Sequence, residues 1–221
     1  MTRRKVYYIP GLGADFSMFS LLVERFPGSP IKWPNHLGSD LKTLAQKIIE
    51  TNTIQDSDIV IGFSFGGQIA KEIKSLKPGV FSVAIASVRH SKELTLQFKK
   101  STQLLGLIPD FLLKNVLLDA GIKHATKNTP GISKEHKSML ADMVKDLDLE
   151  FFRKTVKLCA EWDNNETMDV YHIHGSLDTV IPYERESVDA LINGAGHLLT
   201  FTHPDEIHQQ IESYLVSKTP S

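Results

Sequence analysis

The chain has 221 residues, of which 41% are apolar and 23% charged, a composition typical of one globular domain. Its 25 basic and 26 acidic residues give a formal net charge of -1, and no basic stripe with interleaved aromatic residues is present, so no nucleic-acid partner is expected. No apolar run approaches the ~20 residues that a membrane span needs. The single cysteine, Cys159, excludes an internal disulfide. We therefore expect a cytoplasmic protein in which Cys159 is a buried structural thiol.

Predicted strands and helices alternate through the first ninety residues. Short apolar runs at 6–9, 31–33, 58–63 and 80–86 indicate strands. Helical spacing of apolar residues follows a cap at Asp15 or Ser17, and again follows a cap at Ser39 or Asp40. A third helix begins after the glycines at 66 and 67. Alternation of this kind predicts a parallel sheet with helices on both faces.

The alternation stops after residue 90. Residues 91–165 show helical periodicity and no convincing strand, whereas strand patterns return at 170–174 and 187–192 and a last amphipathic helix covers about 204–215. We therefore predict an α/β core formed by residues 1–90 and 166–221, with residues 91–165 as a helical insertion.

The segment from Gly62 to Gly66 reads Gly-Phe-Ser-Phe-Gly and matches the pattern G-x-S-x-G. The pattern follows a buried strand and precedes a helix, which is the setting of a nucleophile elbow, the sharp turn that exposes a reactive serine. The alternative is a glycine-rich turn that only starts a helix. The strand–turn–helix context favours the elbow, with Ser64 as the nucleophile.

Several segments together resemble the α/β-hydrolase family, and the resemblance covers nearly the whole chain. They are Pro-Gly-Leu-Gly at 10–13, Gly-Phe-Ser-Phe-Gly-Gly at 62–67, His-Gly-Ser-Leu-Asp-Thr-Val-Ile-Pro at 174–182 and Gly-Ala-Gly-His at 194–197. The family orders its triad as serine, acid, histidine, and this chain has Ser64, Asp178 and His197 in that order. The resemblance implies an α/β-hydrolase fold that lacks the family's first two strands and keeps a mostly parallel sheet of about six.

The two partners of Ser64 also follow from physical reasoning. Asp178 comes just after the strand at 170–174, and sites in open parallel sheets form outside the carboxyl ends of the strands. His197 follows the next strand in a glycine-rich loop. A serine hydroxyl needs an adjacent base, histidine suits that role, and a carboxylate fixes the histidine tautomer.

Other polar residues offer weaker candidates. Asp205 has the position of a residue in the first turn of a helix, and Asp119 falls in the helical insertion. His172 and His174 share one face of a strand and could bind a metal with Asp178 or His197. The more ordinary reading is two histidines buried at the end of the sheet. We expect no metal and no organic cofactor, because no Cys/His ligand spacing and no G-x-G-x-x-G loop is present.

The resemblance also implies an oxyanion hole, a pair of backbone amides that stabilise negative charge on the reacting oxygen. Its donors are the amide of Phe65, directly after the nucleophile, and the amide of Leu12 in the loop after the first strand. The family often has His-Gly in that loop, whereas this chain has Pro-Gly at 10–11. Gly13 is an alternative donor to Leu12, and the alternative reading of the loop is a tight βα turn.

In this family an insertion at the position of residues 91–165 commonly forms a cap over the active site. Phe111 and Leu112 lie in its strongly apolar first half, and we expect them to contact substrate. The other reading is that these apolar residues all belong to helix-on-helix core. The serine nucleophile favours hydrolysis of a carboxylic ester or thioester of a small or medium acyl substrate. A carbon–carbon bond hydrolase and a non-catalytic ligand-binding protein remain alternatives.

Overall fold

The computed structural model describes residues 4–105, 107–181 and 183–218, and a parallel sheet of six strands forms its centre. The order across the sheet is β2-β1-β3-β4-β5-β6, and every neighbouring pair is parallel. In chain order the strands are β1 (Val6–Ile9), β2 (Ser29–Pro30), β3 (Ile59–Phe63), β4 (Phe81–Ile85), β5 (Val170–Gly175) and β6 (Ala190–Ile192). This confirms the predicted fold, a parallel six-stranded sheet flanked by helices.

The strand order places a binding crevice beside β1. The chain passes from β1 outward to the edge strand β2 and then returns across β1 to form β3, so the direction of winding reverses between β1 and β3. Ligands in open α/β sheets bind outside the carboxyl ends of the strands at such a reversal. The loop after Ile9 and the turn after Phe63 both lie at this point.

The helices complete the fold on both sides of the sheet. Short 3₁₀ segments lie at Phe16–Phe19, Ser91–Glu93 and Arg185–Ser187, and a π-helical turn lies at Leu117–Gly121. The α-helices are α1 (Ser20–Arg25), α2 (Leu41–Asn52), α3 (Phe65–Leu76), α4 (Leu96–Leu105), α5 (Asp110–Val116), α6 (Ile122–Ala125), α7 (Lys134–Lys145), α8 (Leu149–Glu161), α9 (Leu199–Thr202) and α10 (Pro204–Ser217). None of the helices within the described residues has the length and apolar character needed to cross a membrane.

Two apolar cores lie on opposite faces of the sheet because successive strand residues point to opposite sides. Tyr7 and Ile9 belong to one core, which also contains residues of α2, α3 and α8, whereas Tyr8 between them belongs to the other, which contains residues of α1, α9 and α10. The sheet is therefore covered on both faces, as expected for a parallel sheet.

The prediction of a strand at 31–33 was wrong, since the edge strand lies at Ser29–Pro30 and pairs with Tyr7 and Tyr8. The backbone of Lys32, just after β2, instead bonds to the side chain of Asn52 at the end of α2. The Asn52 side chain accepts a hydrogen bond from the Lys32 amide at 2.7 Å and donates one to the Lys32 carbonyl at 2.9 Å. These bonds satisfy the backbone of Lys32 without strand pairing.

The segment between β4 and β5 is helical throughout its regular elements and includes α4 to α8. Its last helix, α8, returns to the sheet, where Leu158 and Cys159 join the core that contains residues of α2 and α3. Cys159 is buried, and burial raises the pKa of its thiol to about 12. A neutral thiol of this kind is not nucleophilic, which agrees with a structural role.

Candidate active site

The turn between β3 and α3 holds Ser64 in a strained conformation. Ser64 has φ 51° and ψ −116°, a region that residues with a side chain rarely adopt. The flanking glycines are required by close approach. A Cβ on Gly62 would lie 2.0 Å from the carbonyl oxygen of Gly66, and a Cβ on Gly66 would lie 2.1 Å from the carbonyl oxygen of Ile9. The turn therefore has the sharp geometry of a nucleophile elbow.

The predicted acid and base are joined by a hydrogen bond. His197 Nδ1 lies 2.8 Å from Asp178 Oδ2, and both side chains are almost completely buried. Asp178 lies in the turn after β5, and His197 follows β6, so adjacent strands bring together two residues that are distant in the chain. The contact fixes the proton of the neutral imidazole on Nδ1 and leaves Nε2 free to accept one.

The Asp178 carboxylate is held by donors on both oxygens. Oδ1 accepts hydrogen bonds from the amides of Val180 at 2.8 Å and Ile181 at 3.0 Å. Burial by itself raises the pKa of this carboxyl, but the charge of His197 and hydrogen bonds from His174 and His197 outweigh burial. The net pKa lies well below the ordinary value for an aspartate, so the group is ionised at neutral pH.

Ser64 and His197 line the same cavity, which has a volume of about 260 Å³. The ring of Phe63 packs against the imidazole of His197 with the centroids 5.0 Å apart, and this contact limits where the imidazole can lie. Among the described residues no hydrogen bond joins the Ser64 hydroxyl to His197. Such bonds are often long in substrate-free enzymes and shorten when substrate binds.

The two backbone amides expected to form the oxyanion hole also lie beside Ser64. Leu12, Ser64 and Phe65 line one small pocket. Among the backbone and side-chain hydrogen bonds of residues 4–105, 107–181 and 183–218, none has the Leu12 or the Phe65 amide as its donor. Both amides are thus available to a ligand oxygen. The Gly13 amide is an alternative, and Gly13 has φ 70°.

The walls of the cavity come from loops and helices of the sheet domain and from the helical segment between β4 and β5. Their apolar side chains include Met18, Phe98, Leu117, Ile122, Leu140 and Val144. Phe111 and Leu112, which the sequence suggested as substrate contacts, lie elsewhere: they are 77% and 44% exposed and are not among the described residues that line the cavity. Helix α5 instead buries Leu113 against Phe152.

The rival candidates from the sequence have other surroundings. Asp205 is exposed and forms an ion pair with Arg25, and Asp119 is exposed in the π-helical turn. His172 is buried, and its Nε2 has no hydrogen-bond partner among the described residues. Within the described part of the chain there is no group of three His, Cys, Asp or Glu side chains placed to hold a metal ion. Pro182, which ends the motif around Asp178, lies outside the described residues.

Two features of the site were not predicted. The first is His174, whose Nε2 lies 3.1 Å from Asp178 Oδ2. Its position four residues before Asp178 is visible in the sequence, but the sequence alone indicated only a buried sheet-end histidine or a metal ligand. The second is the contribution of α7, which provides Leu140 and Val144 to the cavity wall. The helical spacing of these two residues indicates a buried helix face, but it does not indicate that this face borders a cavity.

The structure is similar to solved hydrolases over almost its full length. It matches a thermophilic esterase from Thermogutta terrifontis with a TM-score of 0.77 and 13% identity, covering 98% of this chain and 90% of that chain. The enol-lactonase from Burkholderia xenovorans LB400 matches with a TM-score of 0.75 and 13% identity over 98% and 92%. A type II thioesterase from the borrelidin biosynthetic cluster matches with a TM-score of 0.66 and 13% identity over 97% and 93%.

No protein-family model and no curated protein matches the chain at the level of sequence. The fold is nevertheless defined by these structural matches: the chain has the α/β-hydrolase fold. Ser64 lies at the elbow of this fold, Asp178 follows β5, and His197 follows β6.

Proposed function

We propose that the chain is a serine hydrolase that cleaves a carboxylic ester or thioester of a small or medium acyl substrate. In this proposal Ser64 is the nucleophile, His197 is the general base, and Asp178 is the carboxylate that orients His197. The observation that carries it is the 2.8 Å hydrogen bond between His197 and Asp178 at the cavity that Ser64 also lines. Fold alone does not define a function, so the proposal rests on these three side chains.

The first half of the proposed reaction transfers the acyl group to the enzyme. Ser64 Oγ attacks the carbonyl carbon while its proton moves to His197 Nε2, and the carbonyl oxygen becomes an oxyanion. The amides of Leu12 and Phe65 donate to this oxyanion. The intermediate then collapses: the bond from carbon to the leaving oxygen or sulfur breaks, and the leaving group takes the proton from His197.

The second half returns the enzyme to its starting state. Water attacks the acyl carbon and gives a proton to His197 Nε2, the bond to Ser64 Oγ breaks, and the proton passes to Ser64 as the acid product leaves. Asp178 stays ionised throughout and stabilises the transient imidazolium of His197. Each step uses only residues of this chain and water.

The size and lining of the cavity support the proposed substrate class. Pockets for drug-sized ligands have volumes of about 300–1,000 Å³, and this cavity, at about 260 Å³, lies just below that range. Its walls are mostly apolar, as expected for an acyl chain. Proteins with a similar fold are described as an esterase, an enol-lactonase and a thioesterase, all of which cleave acyl bonds to oxygen or sulfur.

Labelling and turnover together test the proposal. Wild type should react with a fluorophosphonate probe and hydrolyse p-nitrophenyl butyrate, whereas Ser64→Ala should do neither. Ser213→Ala is the matched control, because its hydroxyl donates to the Gln209 carbonyl on an exposed turn of α10. A wild type that neither reacts with the probe nor turns over the esters and thioesters tested would contradict the proposal and favour the ligand-binding alternative.

A further inference from the structure

Among the described residues, the carboxylate of Asp178 has four polar partners within 3.1 Å, and only His197 among them takes part in the proposed reaction. Oδ1 takes two backbone amides and Oδ2 takes His197, while the fourth position is filled by His174 Nε2 at 3.1 Å from Oδ2. Two carboxylate oxygens offer about four lone-pair positions. These partners occupy all four positions, and within the described part of the chain His174 is the one side-chain polar partner of Asp178 besides His197.

The neighbours of His174 determine where its proton lies. Nε2 also lies 3.1 Å from the carbonyl oxygen of Ile181, and a carbonyl and a carboxylate can only accept hydrogen bonds. Nε2 must therefore carry the proton and donate. Nδ1 is buried without a partner among the described residues, and the ring is completely buried against Tyr183. His174 thus ties β5 to both the carboxylate and the loop that carries it.

We propose that His174 is a positioning residue that keeps Asp178 ionised and keeps Oδ2 directed at His197. The inference rests on the proposed function, since it assigns a role within the same site. Removing the donor leaves Oδ2 with one bond fewer and frees the Ile181 carbonyl. The carboxylate can then rotate away from His197, and the pKa of Asp178 rises because a hydrogen bond to the charged form is lost.

Few titratable groups face this pair, which makes its pH dependence interpretable. Asp178 interacts with His197 and His174. His174 lies beside Asp178, and its ring packs on Tyr183. Besides burial, its charge also lowers the pKa of His172, two residues earlier on the same strand. Burial holds the pKa of His172 well below its ordinary value, so that imidazole is neutral across the range of the assay.

The decisive comparison is between His174→Leu and His172→Leu. Both histidines lie on the same face of β5 and are 0% and 1% exposed, but only His174 bonds to Asp178. We expect His174→Leu to lower kcat by about 10- to 100-fold, the value of a hydrogen bond to a charged group. KM should change little, because His174 is not among the described cavity-lining residues. The acid limb of the kcat/KM profile should move to lower pH, because an imidazolium that loses its carboxylate partner gives up its proton more readily. His172→Leu should leave kcat and the profile within about threefold of wild type, since the Nε2 of His172 has no hydrogen-bond partner among the described residues.

A second pair of variants covers the case in which His174→Leu does not fold. His174→Gln places an N–H near the position of Nε2, whereas the shorter side chain in His174→Asn cannot reach it. The inference predicts that the Gln variant recovers at least tenfold more kcat than the Asn variant and keeps the wild-type pH limb. Equal activity of the two would overturn it, and so would an equal loss and pH shift in His172→Leu.

Measuring wild type and Ser64→Ala in the same series distinguishes a failure of the proposed function from a failure of the role of His174. An inert wild type, or an active Ser64→Ala, contradicts the proposed function itself. An active wild type whose kcat and pH profile do not respond to folded His174 variants contradicts only the role of His174.

Discussion

Replacing Asp178 with asparagine changes one oxygen of the carboxylate to an amide nitrogen, and the structure determines which one. Oδ1 accepts hydrogen bonds from two backbone amides, of Val180 and Ile181, so the asparagine oxygen must remain there. The new NH₂ group then lies where Oδ2 was, 2.8 Å from His197 Nδ1. An NH₂ group donates and cannot accept, so the imidazole must shift its proton to Nε2.

The consequence is a histidine with the wrong tautomer for its task. With a proton already on Nε2, His197 cannot take the proton of Ser64, and the loss expected for this defect is about 10⁴ in kcat. That corresponds to about 5.5 kcal/mol in the barrier, at 1.36 kcal/mol per tenfold. The NH₂ group also meets the donor of His174, which should lower the free energy of unfolding by about 1–3 kcal/mol.

Initial rates with p-nitrophenyl butyrate at saturating substrate measure the effect, with thermal unfolding to confirm that the variant is folded. Asp56→Asn is the control, because that exposed aspartate forms a surface ion pair with Lys77. If Asp178→Asn keeps more than a tenth of the wild-type kcat, the aspartate does not set the histidine tautomer and the reasoning fails.

Three further outcomes follow from the geometry. Gly66→Ala should lower the unfolding free energy by about 1–3 kcal/mol in urea titrations, because the added Cβ overpacks against a backbone carbonyl. Gly121→Ala is the control, because a Cβ there would meet nothing nearer than 3.5 Å. Equal losses in the two variants would refute the close approach at Gly66. Burial lowers the pKa of Lys71 to about 8, so the unfolded state binds more protons above that pH. The unfolding free energy of wild type relative to Lys71→Met should therefore rise above about pH 8, by at most about 1.4 kcal/mol per pH unit, and a flat difference from pH 8 to 10 would contradict this. Val144→Phe fills part of the cavity and should reduce kcat/KM for p-nitrophenyl esters of longer acyl chains, by up to about fourfold per excluded methylene. Phe111→Ser, at an exposed position, should keep the wild-type chain-length profile. The opposite pattern would place the acyl site elsewhere.

Most of the sheet could be predicted from the sequence because its central strands are buried and mostly apolar. β1, β3 and β4 fall within the predicted runs, and β5 extends one residue past its run, since buried parallel strands are rich in apolar residues. The edge strand β2 could not be located in this way. The backbone of Lys32, just after β2, is satisfied by the side chain of Asn52, which lies twenty residues after Lys32 in the chain.

The site was only partly predictable for a similar reason. Ser64, Asp178 and His197 follow strand ends, and the topology of a parallel sheet brings strand ends together. Phe111, Leu112 and Leu113 are consecutive apolar residues in α5, and only the packing of that helix decides which of them turns inward. Leu113 is completely buried, whereas Phe111 is 77% exposed. Helix rotation depends on tertiary contacts that an apolar run does not encode.

The acyl-enzyme intermediate provides the most direct test of the central claim. Wild type is mixed with excess p-nitrophenyl butyrate, quenched in acid within the first turnovers, and analysed by mass spectrometry of the intact protein and of its peptides. The account predicts one added butyryl group, located on Ser64, in wild type and none in Ser64→Ala. A butyryl group on another residue, or p-nitrophenol release at the wild-type rate from Ser64→Ala, would contradict it.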